Sequence, residues 1–145
     1  IEPLLFDLEV NVSTLAKLID NVEEFNSPSV VKVVFDYKNF ALYFSRSPIP
    51  FVRDAKDDKE MLEKAEIYKH IGLYVYRKEY LLKFTKLEPT DLEQWEKLEQ
   101  LRMLENGFKI KIVDTEYDSF SVDTPEDLEK ARKIYSKLKK IELAK

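Results

Sequence analysis

"YKHIGLYVYR", residues 68–77, holds the single histidine of the chain and one of its two glycines. Most of its residues are β-branched, aromatic or aliphatic, and alternate side chains of a strand share a face. Ile71, Leu73 and Val75 would then form a core face, with His70, Gly72, Tyr74 and Tyr76 on the other. An imidazole and two phenols around a residue with no side chain make either a lid on the core or half of a binding site.

Strands and helices are mixed on both sides of this stretch. "EVNVSTLA" (9–16) alternates and reads as a strand, and "DNVEEFNSPS" as a short helical turn followed by loop. "VVKVVFD", "YKN" and "FALYFSR" form a β-hairpin, and "SPIPF" leaves any central ladder because each proline lacks a donor. Residues 54–67 are highly charged and rich in helix formers, a solvated helix or flexible loop with the look of an insertion. "KEYLLKFTKL" is a helix. A further one is expected over 91–106, capped by Thr90 or Asp91 and stopped by Gly107. "FKIKIVDTE" is a strand. The last helix has Thr124 as N-cap, Pro125 at its first position and Asp127 three past the cap, with Leu128, Ala131, Tyr135 and Leu138 as its buried stripe. The fold class that results is α/β, one domain over 1–145 with a mixed β-sheet, a β-hairpin and packed helices.

Composition narrows the function. Charged residues make up 36% of the chain with a net charge of −4, which argues against a nucleic-acid partner needing a basic face. No run approaches the roughly 18 apolar residues of a membrane span, and no signal-peptide pattern opens the chain, so a cytoplasmic protein is expected. The absence of cysteine excludes a disulfide or a thiolate zinc site. Two glycines in 145 residues is far below the usual ~7%, and they stand apart at 72 and 107. No phosphate-cradling glycine loop exists in this chain.

Three places could carry chemistry. On a continuous helix, Leu92, Trp95, Leu98 and Met103 would cluster on one side with Glu99 and Arg102 in their midst. That is either an i,i+3 ion pair over a wet edge of the core or a carboxylate facing a cavity. Asp123, just before the last helix, is either a turn residue or a ligand for a hard cation, with Asp114 and Asp118 as candidate companions. His70 has no second histidine for a zinc site, and Ser45 belongs to no nucleophile elbow; a lone histidine is either structural or ligand-facing.

Four segments in this order decide among these alternatives: "VVKVVFDYKNFALYFSRSPIP", "KHIGLYVYR", "LEQWEKLEQLRMLENG" and "VDTPEDLEKAR". Together they resemble the C-terminal half of the CMP-Kdo synthetases (3-deoxy-manno-octulosonate cytidylyltransferases), over about residues 9–136 apart from the charged stretch. CMP-sialic acid synthetases are a more distant likeness. The resemblance implies the C-terminal part of a Rossmann-like nucleotidyltransferase, a homodimer, and transfer of CMP from CTP to 3-deoxy-manno-octulosonate (Kdo) with release of pyrophosphate, toward lipopolysaccharide. It implies that His70, Tyr74, Glu99 and Gln100 contact the sugar acid, that Arg46 lies near the same cleft, and that Asp123 helps hold Mg2+. It also implies a first half with a glycine-containing, basic CTP loop, which this sequence lacks. The chain therefore reads as cut down or engineered, with impaired catalysis, or as a piece of a longer protein, and its other reading is a non-catalytic, self-associating scaffold.

Overall fold

A computed structural model describes residues 2–117, together with 122, 125, 128, 129, 131–133, 135 and 136. In chain order the elements are α1 (Glu2–Phe6), β1 (Val12–Leu18), α2 (Val22–Asn26), β2 (Lys32–Phe35), β3 (Ala41–Ser45), α3 (Asp58–Lys64), β4 (Tyr68–Tyr76), α4 (Lys78–Phe84), α5 (Asp91–Glu96), α6 (Glu99–Glu105) and β5 (Ile110–Asp114). The strands make one mixed sheet in the order β3-β2-β4-β1-β5. β5 runs parallel to β1 and the other neighbours are antiparallel. The α/β class with a hairpin and packed helices is the observed architecture.

The hairpin forms where the sequence places turn residues. Asp36 Oδ1 accepts from the backbone N–H groups of Lys38 and Phe40 at 2.8 and 2.9 Å, and Asn39 takes the left-handed φ of 59° that asparagine tolerates. The tip then crosses the molecule: Phe40 bridges to Lys111, and the N–H of Ile112 donates to Asn39 O at 2.7 Å. The sheet is thereby curled, with both ends brought together around one apolar interior. Val12, Ala16, Val33, Phe44, Ile110 and Ile112 pack there against Leu98, Leu101 and Met103 from the α5–α6 region.

Two cations tie loops to this frame. The Lys32 ammonium is fully buried and donates to the carbonyls of Ser27, Val30 and Arg46 at 3.0, 2.7 and 2.7 Å, which satisfies all three of its protons. Arg77 donates from Nε to Val10 O at 2.9 Å and from one terminal nitrogen to Leu4 O and Asp7 O at 2.8 and 3.1 Å, fastening α1 to the end of β4.

Three sequence expectations are corrected. The first concerns the faces of β4: Tyr68, Tyr74 and Tyr76 pack on the main core, whereas Leu73 is 54% exposed. Pairing with β1 is the reason, and a bulge that adds two residues keeps the alternation. Thr14 pairs with Tyr74 and Leu15 with Ile71, so Gly72 and Leu73 are extra residues on β4. The cross-strand partners of the aromatic side, Val12, Thr14 and Ala16, line the interior.

The second is the continuous helix over 91–106. Lys97 adopts φ 55° and ψ 48°, and Leu98 is extended, which breaks the segment into α5 and α6. The break drives Leu98 into the core at 5% exposure and leaves Trp95 at 74%. Burial of Leu98 outweighs local helix continuity. Arg102 pairs with Glu93, Nε to Oε2 3.1 Å, rather than with Glu99.

The third is the stripe of the last helix: Leu128 and Tyr135 are exposed, since no apolar face among the described residues covers them. The capping residues Thr124 and Asp127, and Leu138, lie outside the described residues. The charged stretch contains a helix, α3, whose N-cap Asp57 accepts from Glu60 N at 2.8 Å.

Candidate functional site

The interior face of β4 carries a row of rings. Phe44 on β3 meets His70 edge-on at 5.0 Å between centroids, and His70 lies 5.4 Å from Tyr74. Tyr74 stacks on Tyr76 at 5.7 Å and Tyr76 on Phe84 of α4 at 6.4 Å. The Arg102 guanidinium sits 4.6 Å from the Phe84 ring. The alternation of β4 aligns the rings, and the bulge at Gly72 and Leu73 brings His70 and Tyr74 into ring contact although they stand four residues apart. A Cβ built on Gly72 would meet nothing within 4 Å, so the space beside it is open.

The polar atoms in this row are uncharged at neutral pH. Burial pushes the His70 imidazole down to about 4. Burial, followed by the nearby charge of Glu99, raises the Tyr74 phenol well above its usual range and pushes Tyr76 up to about 12. Glu99 is thus within electrostatic reach of both phenols, although it is itself solvent-exposed at the start of α6. The next residue, Gln100, is buried at 2% exposure.

The Tyr74 hydroxyl is buried with no hydrogen-bond partner among the described residues. The Thr14 hydroxyl also approaches it. That hydroxyl also lies 2.9 Å from His70 Nε2 and 3.1 and 3.0 Å from the carbonyls of Ile71 and Leu73, so the phenol shares it with three other groups. A buried phenol beside a neutral imidazole suits a ligand hydroxyl, since neutral donors and acceptors exchange hydrogen bonds without desolvating a charge.

The other sequence-derived residues fall in different places. Arg46 donates from Nε to Glu96 O at 2.7 Å, from one terminal nitrogen to Pro28 O at 2.8 Å and from the other to Lys97 O at 3.4 Å. Its guanidinium is occupied in holding the α5–α6 break against β3. Asp123 lies outside the described residues, and among those described no group of three or more His, Asp or Glu converges to hold a metal ion.

Two residues of the site escaped the sequence reading. In the sequence Thr14 reads only as part of an alternating strand. The available signal was its polarity on a face otherwise made of Val12 and Ala16. Glu96, read as one charge among many on a helix, accepts from Ser45 Oγ at 2.7 Å and from the Arg46 N–H at 2.9 Å. It fixes the break from which Glu99 and Gln100 project. No local pattern announces such a contact.

Known proteins resemble this chain in sequence and in fold. A family model described as cytidylyltransferase matches residues 2–112. A 3-deoxy-manno-octulosonate cytidylyltransferase of Geotalea uraniireducens (strain Rf4) is 52% identical over 144 residues, covering 97% of this chain and 56% of its own length. The enzyme of that name from Thermodesulfovibrio yellowstonii (strain ATCC 51303 / DSM 11347 / YP87) is 53% identical over 133 residues, 89% of this chain and 52% of its own. A solved structure of CMP:2-keto-3-deoxy-manno-octonic acid synthetase complexed with CTP superposes with a TM-score of 0.82 at 38% identity, over 94% of this chain and 53% of that one. The chain spans about half the length of the curated relatives it matches. With the family model covering most of its length and the fold agreeing, this chain belongs to the cytidylyltransferase family.

Proposed function

We propose that this chain provides the sugar-acid-binding part of an enzyme that transfers CMP from CTP to Kdo. In that reaction the anomeric hydroxyl oxygen of the sugar acid bonds to the α-phosphorus of CTP, pyrophosphate departs, and the hydroxyl proton is lost to solvent. His70 and Tyr74 receive hydroxyls of the sugar acid, with Glu99 and Gln100 at the same end of the site and Arg46 bracing its edge. The observation that carries this reading is the Tyr74 hydroxyl buried beside the neutral imidazole of His70, with their rings in contact. Asp123 is assigned to Mg2+ on the family resemblance alone.

With two glycines and no phosphate loop, the chain by itself is proposed to bind Kdo yet turn over CTP poorly. Self-association belongs to the same reading and is measured by sedimentation equilibrium. The deciding experiment is a Kdo titration followed by NMR of His70, whose signals are assigned without ambiguity because the chain has one histidine. A saturable shift, lost in Tyr74→Ala, is expected. Unmoved signals at millimolar Kdo in a folded sample would refute the sugar-acid reading, and CMP–Kdo formation at ordinary enzymatic rates would refute the impairment.

A further inference from the structure

The hydrogen bonds of one threonine determine which nitrogen of His70 carries its proton. Thr14 is buried to 1% exposure on β1, directly opposite Tyr74, where β4 bulges. Its Oγ1 is 3.1 Å from Ile71 O, 3.0 Å from Leu73 O and 2.9 Å from His70 Nε2. A hydroxyl has one proton and two lone pairs, and a carbonyl oxygen can only accept. Were the proton directed at Nε2, both carbonyls would lose it and would face the lone pairs of Oγ1 in a buried setting. With the proton shared between the carbonyls, Oγ1 accepts from Nε2–H and all three contacts become hydrogen bonds. The second arrangement satisfies more buried groups at the same distances.

We propose that Thr14 is a positioning residue that holds His70 in the Nε2–H tautomer, leaving Nδ1 as a lone-pair acceptor for a hydroxyl of the sugar acid. The tautomer stands on the geometry of the bulge, whereas the ligand half rests on the sugar-acid reading above. The ring's one hydrogen bond among the described residues is that from Nε2, so Nδ1 is uncommitted. An acceptor at this position calls for a donor and therefore selects hydroxyl over carboxylate. Tyr74, whose phenol keeps its proton, supplies the complementary donor beside it. The pair thus matches two hydroxyls of one sugar, one giving its proton to Nδ1 and one receiving that of Tyr74. The bulge is what lets a single threonine side chain reach two carbonyls of the neighbouring strand and the ring that precedes them.

The test is the nitrogen spectrum of 15N-labelled full chain at neutral pH, in which protonated and lone-pair imidazole nitrogens are resolved. In the parent chain Nε2 is expected to be protonated and Nδ1 not. Thr14→Ser, which keeps the hydroxyl, should preserve this pattern, and Thr14→Val should convert it to a mixture of tautomers. In the Kdo titration Thr14→Val is expected to weaken binding roughly tenfold, with Thr14→Ser close to the parent. A protonated Nδ1 in the parent chain, a reading that needs no variant, overturns the proposal. So does an unchanged tautomer in Thr14→Val. The expected tautomer together with no response to Kdo would overturn the acceptor role and the sugar-acid reading while leaving the lock by Thr14 in place.

Discussion

The carboxylate of Glu96 accepts a hydrogen bond from the backbone N–H of Arg46 at 2.9 Å, and through its other oxygen one from Ser45 Oγ at 2.7 Å. One side chain thereby joins the end of β3 to the break between α5 and α6. The Arg46 guanidinium returns the contact by donating to Glu96 O at 2.7 Å. Removal of the carboxylate strands a partly buried N–H and a hydroxyl. Glu96→Ala should cost about 1–3 kcal/mol, read as a lower urea midpoint at unchanged slope. A change within experimental error would mean that water replaces both bonds.

Lys97, the next residue, makes a prediction of opposite sign. Its left-handed backbone costs a non-glycine residue roughly 1 kcal/mol, which glycine does not incur. Lys97→Gly should therefore stabilise the chain by about 0.5–1 kcal/mol. On an unbroken helix the same substitution would cost about 1 kcal/mol, so the sign of the shift in melting temperature separates the two geometries.

Tyr74→Phe divides stability from binding. The hydroxyl has only the shared Thr14 hydroxyl near it, so its removal should leave stability unchanged or raise it by about 1 kcal/mol while Kdo affinity falls. Denaturant midpoints and the NMR titration, run on the same sample, report the two effects. A clearly destabilised variant would show that the phenol is already hydrogen-bonded in the free chain.

The pH dependence follows from His70. Its folded-state pKa of about 4 lies below the ordinary 6.5, so the unfolded chain binds the proton more readily. The contribution is complete above pH 6.5, declines as pH falls toward 4 and is lost below it, and amounts to about 3 kcal/mol. His70→Gln should flatten this part of the stability profile, the difference between parent and variant cancelling the carboxylates common to both. Equal slopes between pH 4 and 6.5 would place the imidazole in contact with water.

Much of the fold was readable because its signals are local. The hairpin follows from two β-rich runs around Asp36–Asn39, whose side chains and backbone freedom make the turn without distant help. The Glu93 carboxylate accepting from the Thr90 N–H at 3.3 Å supplies one bond of a capping box, again a relation of three residues. His70, Gly72 and Tyr74 stood out because their types are unusual beside one another in a strand. Thr14 and Glu96 did not, because each is ordinary until a partner more than 50 residues away is brought to it.

The α/β class, the hairpin, the aromatic row on β4 and, through its ordered motifs, the family are all legible in the amino-acid order, since periodicity and residue type are properties of neighbouring positions. Tertiary structure alone decided which face of β4 is the interior, where the helix after Thr90 breaks and what holds the His70 ring. Each of those outcomes is a competition between local preference and burial. Leu98 enters the core at the expense of a helical Lys97, and Thr14 bonds across a bulge that exists only once β1 and β4 are paired. Such contests are settled by the sum of contacts made on folding, which no short window of residues contains.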